Sequence, residues 1–132
     1  MHENSTLIKR LKDIHLFNFN RISDSISLVN KNRGIVKVAD LANATCLSDK
    51  QYYRIFKEFV GVTPKQFLRT VRLQWAFYNI QTRKSSNLTD LAYNCGYFDQ
   101  AHFNSDFKLL TGYTPKKCFE NTQIYSDYFA QI

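Results

Sequence analysis

Residues 38–64, VADLANATCLSDKQYYRIFKEFVGVTP, decide the fold of this chain. Apolar residues recur at helical spacing, break off in the middle of the stretch, and resume after Ser48. Ser48 and Gln51 form a Ser-x-x-Gln capping box, which marks the start of a second helix. Gly61 is a typical helix stop, and Pro64 suits the first position of the next helix. The stretch therefore predicts a helix, a tight turn, a second helix, a stop and a new helix.

Residues 90–115, DLAYNCGYFDQAHFNSDFKLLTGYTP, repeat this plan about fifty residues later. The offset between matching residues is 50 at the front and 51 at the back, so the second copy holds one extra residue near its turn. Two copies of a helix-turn-helix indicate binding to nucleic acid. The matching positions are Asp40-Leu41-Ala42 with Asp90-Leu91-Ala92, Phe56-Lys57 with Phe107-Lys108, and Gly61, Thr63 and Pro64 with Gly112, Thr114 and Pro115.

The remaining sequence completes an all-α fold of about seven helices. Two homeodomain-like helix-turn-helix subdomains are expected, joined by a long connector helix. The predicted parts are an amphipathic N-terminal extension (1–20), a first helix-turn-helix subdomain (21–63), the connector (64–83), a second helix-turn-helix subdomain (84–119) and a C-terminal tail (120–132).

The composition favours a folded helical chain with a polyanionic partner. Apolar residues make up 44% of the chain, and only 4 Gly and 2 Pro interrupt it. Eighteen basic residues against 11 acidic ones give a net charge of +7, which suits DNA or an anionic membrane surface. Residues 50–84 hold eight basic residues and one acid, whereas residues 85–107 hold three aspartates and no Lys or Arg. The positive field is therefore centred on the first unit and the connector.

The cysteines argue against disulfides and metal binding. Cys46, Cys95 and Cys118 show no CxxC spacing and no clustering with histidine, which favours a reducing compartment. Cys46 and Cys95 are expected to be small buried residues in equivalent turns. We find no arrangement of a nucleophile with a base, and expect no enzyme activity, cofactor or metal. Without a signal peptide or a long apolar run, the chain is expected in the bacterial cytoplasm, associated with the nucleoid when bound, and not at a membrane.

The N-terminal region is expected to contain two separate helices. Leu7, Leu11 and Ile14 have the spacing of a short amphipathic helix within residues 1–20, and a further helix is expected at 22–31. The first of these could pack on the domain, form a dimer, bind a partner, or be the remnant of a connector.

In a helix-turn-helix, the second helix enters the major groove and its outward N-terminal residues contact base edges. Arg suits guanine, and Asn or Gln suits adenine. A connector helix from Pro64 to about Thr82, roughly 19 residues, spans about 28 Å, close to the ~34 Å between successive grooves. We therefore expect one monomer to contact double-stranded DNA in two successive major grooves. Base contacts are expected from Lys50, Gln51, Tyr53 and Arg54 in the first unit and from Gln100, Ala101, Asn104 and Ser105 in the second, with phosphate contacts from Ser48, Lys57, Lys65, Lys108, Lys116 and Lys117.

The second unit contains an anomalous aspartate. Phe103, Phe107 and Leu110 are expected to face inward in its second helix. Asp106 takes the place of Ile55 of the first unit, at an inward or half-inward position. A buried aspartate needs hydrogen bonds or a cation partner, which the sequence does not name. We expect Asp106 at the edge of the core.

Residues 22–119 resemble the DNA-binding domain of the AraC/XylS family of transcription regulators. The resemblance implies seven helices, two helix-turn-helix units joined by a long helix, and regulation of transcription, more often activation, with RNA polymerase as a partner. It also implies a structural salt bridge for Arg72. The motifs that carry it are FK-x-x-x-G-x-TP from Phe56 to Pro64, Arg72-Leu73…Ala76, and Gly96-Tyr97…Asp99-Gln100…Phe103…Phe107-Lys108…Gly112…Pro115.

Three positions depart from the family pattern. The family usually has Arg where Ser105 stands, a small or apolar residue at Asp106, and Tyr or Phe at Cys118. The first departure removes a guanine contact from the second unit, and the second adds negative charge near the phosphates. The first unit is therefore expected to dominate the affinity for DNA.

Most family members carry a separate effector or dimerisation domain, for which there is no room here. The chain could be a single-domain regulator, could recruit a partner or a second copy through residues 1–20, or could be a fragment.

A second class of function is a protein-interaction module in which the N-terminal helix and the aromatic tail bind a partner and DNA binding is weak. A steep salt dependence of DNA affinity would favour the DNA-binding hypothesis.

Overall fold

The computed structural model describes residues 2–82 and 87–120, and the all-α prediction is confirmed over this part of the chain. Residues 83–86, where the predicted boundary between the connector and the second subdomain falls, and the tail from residue 121 onward lie outside the described residues. None of the helices in the described part is long and apolar enough to span a bilayer. The helices are α1 (His2–Lys31), α2 (Val38–Ala44), α3 (Asp49–Val60), α4 (Pro64–Thr82), α5 (Leu88–Asn94), α6 (Gln100–Thr111) and α7 (Pro115–Glu120).

The N-terminal region forms one helix of 30 residues, so the prediction of two separate helices is wrong. The sequence contains no glycine or proline before Gly34, and nothing therefore interrupts the backbone hydrogen bonds. The helix ends where Arg33 and Gly34 take left-handed φ values of 56° and 78°. Gly34 is required there, because a Cβ atom would lie 2.7 Å from the Leu68 carbonyl oxygen.

The described residues form two compact units. The N-terminal subdomain comprises the residues up to Asn32 together with Val36–Phe67, and it contains the first helix-turn-helix, α2 and α3. The C-terminal subdomain comprises Arg33–Ile35 together with the residues from Leu68 onward, and it contains the second helix-turn-helix, α5 and α6.

Tyr52 is the centre of the N-terminal subdomain. It is fully buried, and its hydroxyl donates a hydrogen bond of 2.9 Å to Ser25 Oγ on α1. Burial raises the pKa of Tyr52, so the phenol remains a neutral donor. The Phe56 ring lies 5.6 Å from the Tyr52 ring and 5.6 Å from the Phe67 ring. These contacts attach α3 to α1 and to the first turn of α4.

Phe103 and Phe107 lie at the centre of the C-terminal subdomain, where both are fully buried as predicted. Leu110, expected to face inward with them, is 39% exposed, so that prediction is wrong. It lies in the last turn of α6, where the core no longer covers the inward side of the helix. The buried core of this subdomain comprises Leu73, Ala76, Phe77, Ile80, Leu91, Ala92, Cys95, Tyr97, Phe103, Phe107 and Cys118.

The two turns differ by one residue, as the sequence predicted. Leu47 and Tyr97 each donate a backbone hydrogen bond of 3.0 Å back to the first helix of their unit, at an offset of 50. The N-cap residues that follow, Ser48 and Asp99, are offset by 51. The extra residue of the second turn is therefore Phe98.

Cys46 is exposed, so the prediction that it is buried is wrong, whereas Cys95 is buried as expected. The turn alignment explains the difference. Cys95 corresponds to Thr45, the C-cap of α2, and Cys46 corresponds to Gly96. Cys46 and Gly96 both have left-handed backbones, with φ values of 59° and 83°. Cys46 thus occupies a glycine-type turn position outside the core.

Candidate nucleic-acid interface

Helix α3 has one face in the core and the other in solvent. Tyr52, Ile55 and Phe56 are buried on α1, α2 and α4. Because these residues fix the rotation of the helix, the opposite face projects away from the protein. The predicted DNA contacts Lys50, Gln51, Tyr53, Arg54 and Lys57 are all exposed on that face, together with Glu58.

The start of α3 is held by the predicted capping box. Ser48 Oγ accepts a hydrogen bond from the backbone N–H of Gln51, and Gln51 Oε1 accepts one from the backbone N–H of Ser48, both at 3.1 Å. The side-chain oxygens of Ser48 and Gln51 are therefore already engaged in this structure. The Ser48 hydroxyl also donates to Gln51 Oε1 at 3.1 Å, so it must turn away from that oxygen before it can donate to a phosphate. The amide nitrogen of Gln51 remains a donor for the predicted base contact.

Arg54 is free to reach a ligand at little cost. Its only ion pair among the described residues is with Glu58 one turn later, at 3.3 Å, and both side chains are 61% exposed. Exposed pairs of this kind contribute about 0.3–0.5 kcal/mol in helices. Tyr53, Arg54, Lys57 and Glu58 together line an open hollow of about 410 Å³ on this face.

The second recognition helix, α6, presents a more polar and less charged face. Asp99 caps its start by accepting a 2.8 Å hydrogen bond from the backbone N–H of Ala101. Gln100 is exposed, and its Oε1 accepts a hydrogen bond of 3.3 Å from the Thr89 hydroxyl on α5. Ala101 and Ser105 are exposed. Lys108 is the first cation in α6, two turns after its start.

Asn104 does not present its carboxamide oxygen to solvent. The residue is half-buried, and its Oδ1 is buried with no hydrogen-bond partner among the described residues. Bidentate pairing with adenine requires both the oxygen and the nitrogen of the amide. Asn104 must therefore rotate its side chain before it can make that contact, and the rotation would also relieve the unpaired oxygen.

Asp106 is buried and bound by three side chains that the sequence did not identify. Its Oδ2 accepts a 2.9 Å hydrogen bond from the Tyr97 hydroxyl, and lies 3.8 Å from Arg69 Nε and 3.4 Å from His102 Nε2. Burial, together with the hydrogen bond to Asp106, raises the pKa of Tyr97 to about 12. The cluster joins α6 to α4 and to the preceding turn. No local sequence pattern pairs Arg69 with Asp106, because the two residues lie far apart along the chain.

The lysines predicted to contact phosphate are exposed. Lys57 is on α3, Lys65 is in the first turn of α4, Lys108 is on α6, and Lys116 and Lys117 are on α7. Their ammonium groups can therefore reach a polyanion without first breaking buried contacts.

The two half-buried arginines of α4 have structural partners. Arg69 faces Asp106, and Arg72 Nη1 donates a 3.3 Å hydrogen bond to the Gly34 carbonyl oxygen. The Arg72 guanidinium also lies 5.2 Å from the Tyr97 ring centre. Among the described residues, Arg72 bonds to a backbone carbonyl and pairs with no carboxylate. The salt bridge expected for Arg72 is therefore absent from the described structure.

No cluster of three or more His, Cys, Asp and Glu side chains in the described parts of the chain could hold a metal ion. Helices α3 and α6 are both capped at their starts and expose their outer faces. Both faces carry hydrogen-bonding side chains, and the face of α3 also carries cationic ones. This arrangement defines a helix-turn-helix protein.

A family model described as a helix-turn-helix domain matches residues 41–121. Together with the relatives below, it places the chain in the AraC/XylS family of transcription regulators. These relatives are regulators of transcription and not enzymes.

Two curated relatives show the similarity in sequence. The chain is 33% identical over 82 residues to a probable transcriptional regulator, LumQ, of Photobacterium leiognathi, which covers 62% of this chain and 33% of that protein. It is 33% identical over 76 residues to the HTH-type transcriptional activator RhaS of Escherichia coli, which covers 58% of this chain and 27% of RhaS. The chain thus spans a third or less of the length of these relatives.

Solved structures share the fold. An AraC-type transcriptional regulator from Chromobacterium violaceum superimposes with a TM-score of 0.65 at 24% identity, covering 74% of this chain and 88% of that one. The DNA-binding domain of AdpA, determined in complex with a target DNA, superimposes with a TM-score of 0.67 at 20% identity, covering 83% of this chain and 94% of that one.

Proposed function

We propose that this chain binds double-stranded DNA in a sequence-specific manner and regulates transcription. The observation that carries the proposal is the outer face of α3, where Lys50, Tyr53 and Arg54 are exposed on a helix fixed by three buried residues. Side chains of this kind near the start of the second helix contact base edges when the helix enters the major groove. Membership of a family of transcription regulators supports the same conclusion.

The finer proposal is that one monomer uses α3 and α6 in successive major grooves, with α3 dominant in affinity. The 19 residues of α4 span about 28 Å, which suits the ~34 Å between grooves. The outer face of α3 carries Lys50, Arg54 and Lys57, whereas the first two turns of α6 contain no Lys or Arg. Charged contacts at the start of a recognition helix should therefore come from the first helix-turn-helix.

We further propose that the protein is an activator that contacts RNA polymerase in the bacterial cytoplasm and associates with the nucleoid when bound. The activator assignment is supported by RhaS, which is described as a transcriptional activator. A reporter gene placed behind the selected site tests the sign of regulation, since an activator raises its expression and a repressor lowers it.

Selection from random DNA duplexes with the purified protein tests the proposed function. We expect an asymmetric site with two elements about one helical turn, ~10 base pairs, apart. Hydroxyl-radical footprinting should show protection in both elements. A palindromic site would contradict the monomer, and a failure to enrich any sequence would contradict specific DNA binding.

A second candidate function is binding of a protein partner, or of a second copy, through the exposed apolar side chains in residues 7–14 of α1. Leu7, Ile8, Leu11 and Ile14 are each more than half exposed. If this were the main activity, the protein would form a dimer or capture a partner, while its affinity for duplex DNA would be weak and insensitive to salt. Light scattering at increasing protein concentration distinguishes a monomer from a dimer.

A further inference from the structure

Phe98 is a large apolar residue with no packing role in the described structure. It is 100% exposed, whereas the residue before it, Tyr97, is buried. Phe98 lies in the turn between α5 and α6, directly before Asp99, the N-cap of α6. It therefore stands at the N-terminal end of the second recognition helix.

The position of Phe98 would ordinarily give it a partner in the core. A hydrophobic residue just before the N-cap commonly packs on the fourth helical residue, which here is Phe103. Phe103 is fully buried, but it packs on Tyr97, whose ring centre lies 5.2 Å away. Tyr97 has taken the place next to the core because the second turn is one residue longer than the first. Phe98 is that extra residue, and the first helix-turn-helix has no equivalent.

The stretch of sequence around Phe98 lacks the lysines and arginines that α3 presents. Residues 85–107 contain no Lys or Arg, and Asp99 is adjacent. Of the predicted base contacts on α6, Ala101 and Ser105 are small and Asn104 keeps its carboxamide oxygen buried. Phe98 is consequently the largest apolar group available at the start of this helix.

We propose that Phe98 is a DNA contact that binds the methyl group of a thymine in the major groove. This inference rests on the proposed function. The N-terminal end of the second helix is the part that enters the groove, and Phe98 lies at that end. Phenylalanine is one of the side chains that contact the thymine methyl group. Docking would remove from water a ring that is otherwise fully exposed, which favours binding.

Substitution of Phe98 tests the proposal on the site selected by the wild-type protein. Phe98→Ala should raise the Kd for that duplex about tenfold, the factor that partial burial of a phenyl ring gives. The Tm should not change, because the ring packs on nothing in the described structure. The matched control is Leu109→Ala, which removes another strongly exposed apolar side chain, 77% exposed, from the far end of α6, and its Kd should stay within about twofold of wild type.

Replacement of single thymines by deoxyuridine removes only the methyl group and identifies the partner. In the element bound by α6, one such replacement should weaken wild-type binding several-fold. The same replacement should have no effect on Phe98→Ala, because the contact is already lost. A wild-type Kd for Phe98→Ala, or equal effects of deoxyuridine on both proteins, would overturn the assignment of Phe98. Failure of the wild-type protein to select any site would instead overturn the proposed function.

Discussion

Arg54 combines exposure, charge and a weakly held side chain at the start of a recognition helix. Its exposed pair with Glu58 costs little to break. Under the proposed function, Arg54→Ala should cost about 1–3 kcal/mol of specific binding free energy, as expected for an arginine bidentate to guanine. Asn104→Ala should cost less, because Asn104 must first rotate its buried oxygen outward. Titration of the selected duplex by fluorescence anisotropy gives both values, and the reverse order would contradict dominance of the first unit.

Asp106 shows how one buried carboxylate depends on its neighbours. Asp106→Ala would leave the buried Tyr97 hydroxyl without its acceptor and Arg69 without its carboxylate. An unpaired buried polar group costs about 1–3 kcal/mol, so we expect a loss of that size in the free energy of unfolding. Asp106→Asn keeps an acceptor for Tyr97 and should lose less. Urea unfolding measures both, and equal losses would show that the Tyr97 hydrogen bond is unimportant.

The three cysteines should differ in reactivity. Cys95 and Cys118 are buried, and burial raises the pKa of each thiol to about 11. Thiols react as thiolates, so neither should react at pH 8 in the folded protein, whereas the exposed Cys46 should. A chromogenic disulfide reagent should report one fast thiol per folded chain and all three after denaturation. Cys46→Ser should abolish the fast phase; a fast phase that persisted in this variant would contradict the assignment.

At the scale of the element, α1 has two halves with different roles. Its C-terminal half packs on the N-terminal subdomain through Ile22 and Val29, while its N-terminal half exposes the same kind of side chain. On that N-terminal half the His15 ring lies 4.9 Å from the Phe59 ring of α3, whereas the large apolar side chains before His15 are exposed. The stability of the subdomain should therefore depend little on those exposed side chains.

Two isoleucines of α1 provide a matched test of this division. Ile22 is 2% exposed and Ile14 is 56% exposed. Ile22→Ala should reduce the free energy of unfolding by about 2–5 kcal/mol, because it leaves a cavity in the core. Ile14→Ala should change it by less than about 0.5 kcal/mol. Urea denaturation followed by circular dichroism compares them. A large effect of Ile14→Ala would indicate that residues 2–20 are packed in solution, for example in a dimer.

At the scale of the whole molecule, the net charge of +7 should appear in the salt dependence of DNA binding. If each of the five exposed lysines predicted to contact phosphate neutralises one of them, log K should fall with log salt with a slope of about −4 to −5. Lys57→Ala should reduce that slope by about 1. The control is Lys9→Ala, which removes an exposed lysine of α1, and it should leave the slope unchanged. A slope near zero for the wild-type protein would favour the protein-interaction module.

The amino-acid sequence was sufficient to predict several helix ends in the first helix-turn-helix, although it did not predict that α1 is continuous. The capping box of Ser48 and Gln51, the stop at Gly61 and the start of α4 at Pro64 are local features, because each involves residues within a few positions of one another. The duplication also predicted one extra residue in the second turn. The helical spacing of the apolar residues after Ser48 also indicated the outward face of α3, where Lys50, Tyr53 and Arg54 are exposed as expected for base contacts.

The tertiary structure alone decided which inward positions are covered and what pairs across the fold. Periodicity gives the direction of a side chain but not whether another element lies above it, which is why Leu110 is exposed at the end of α6. Two partners of Asp106 come from α4 and from the turn, so no local pattern names them, whereas His102 lies one turn earlier on α6. The extra residue could have been either member of the Tyr97-Phe98 pair. In the structure Tyr97 is buried against Phe103 and Phe98 is left in solvent.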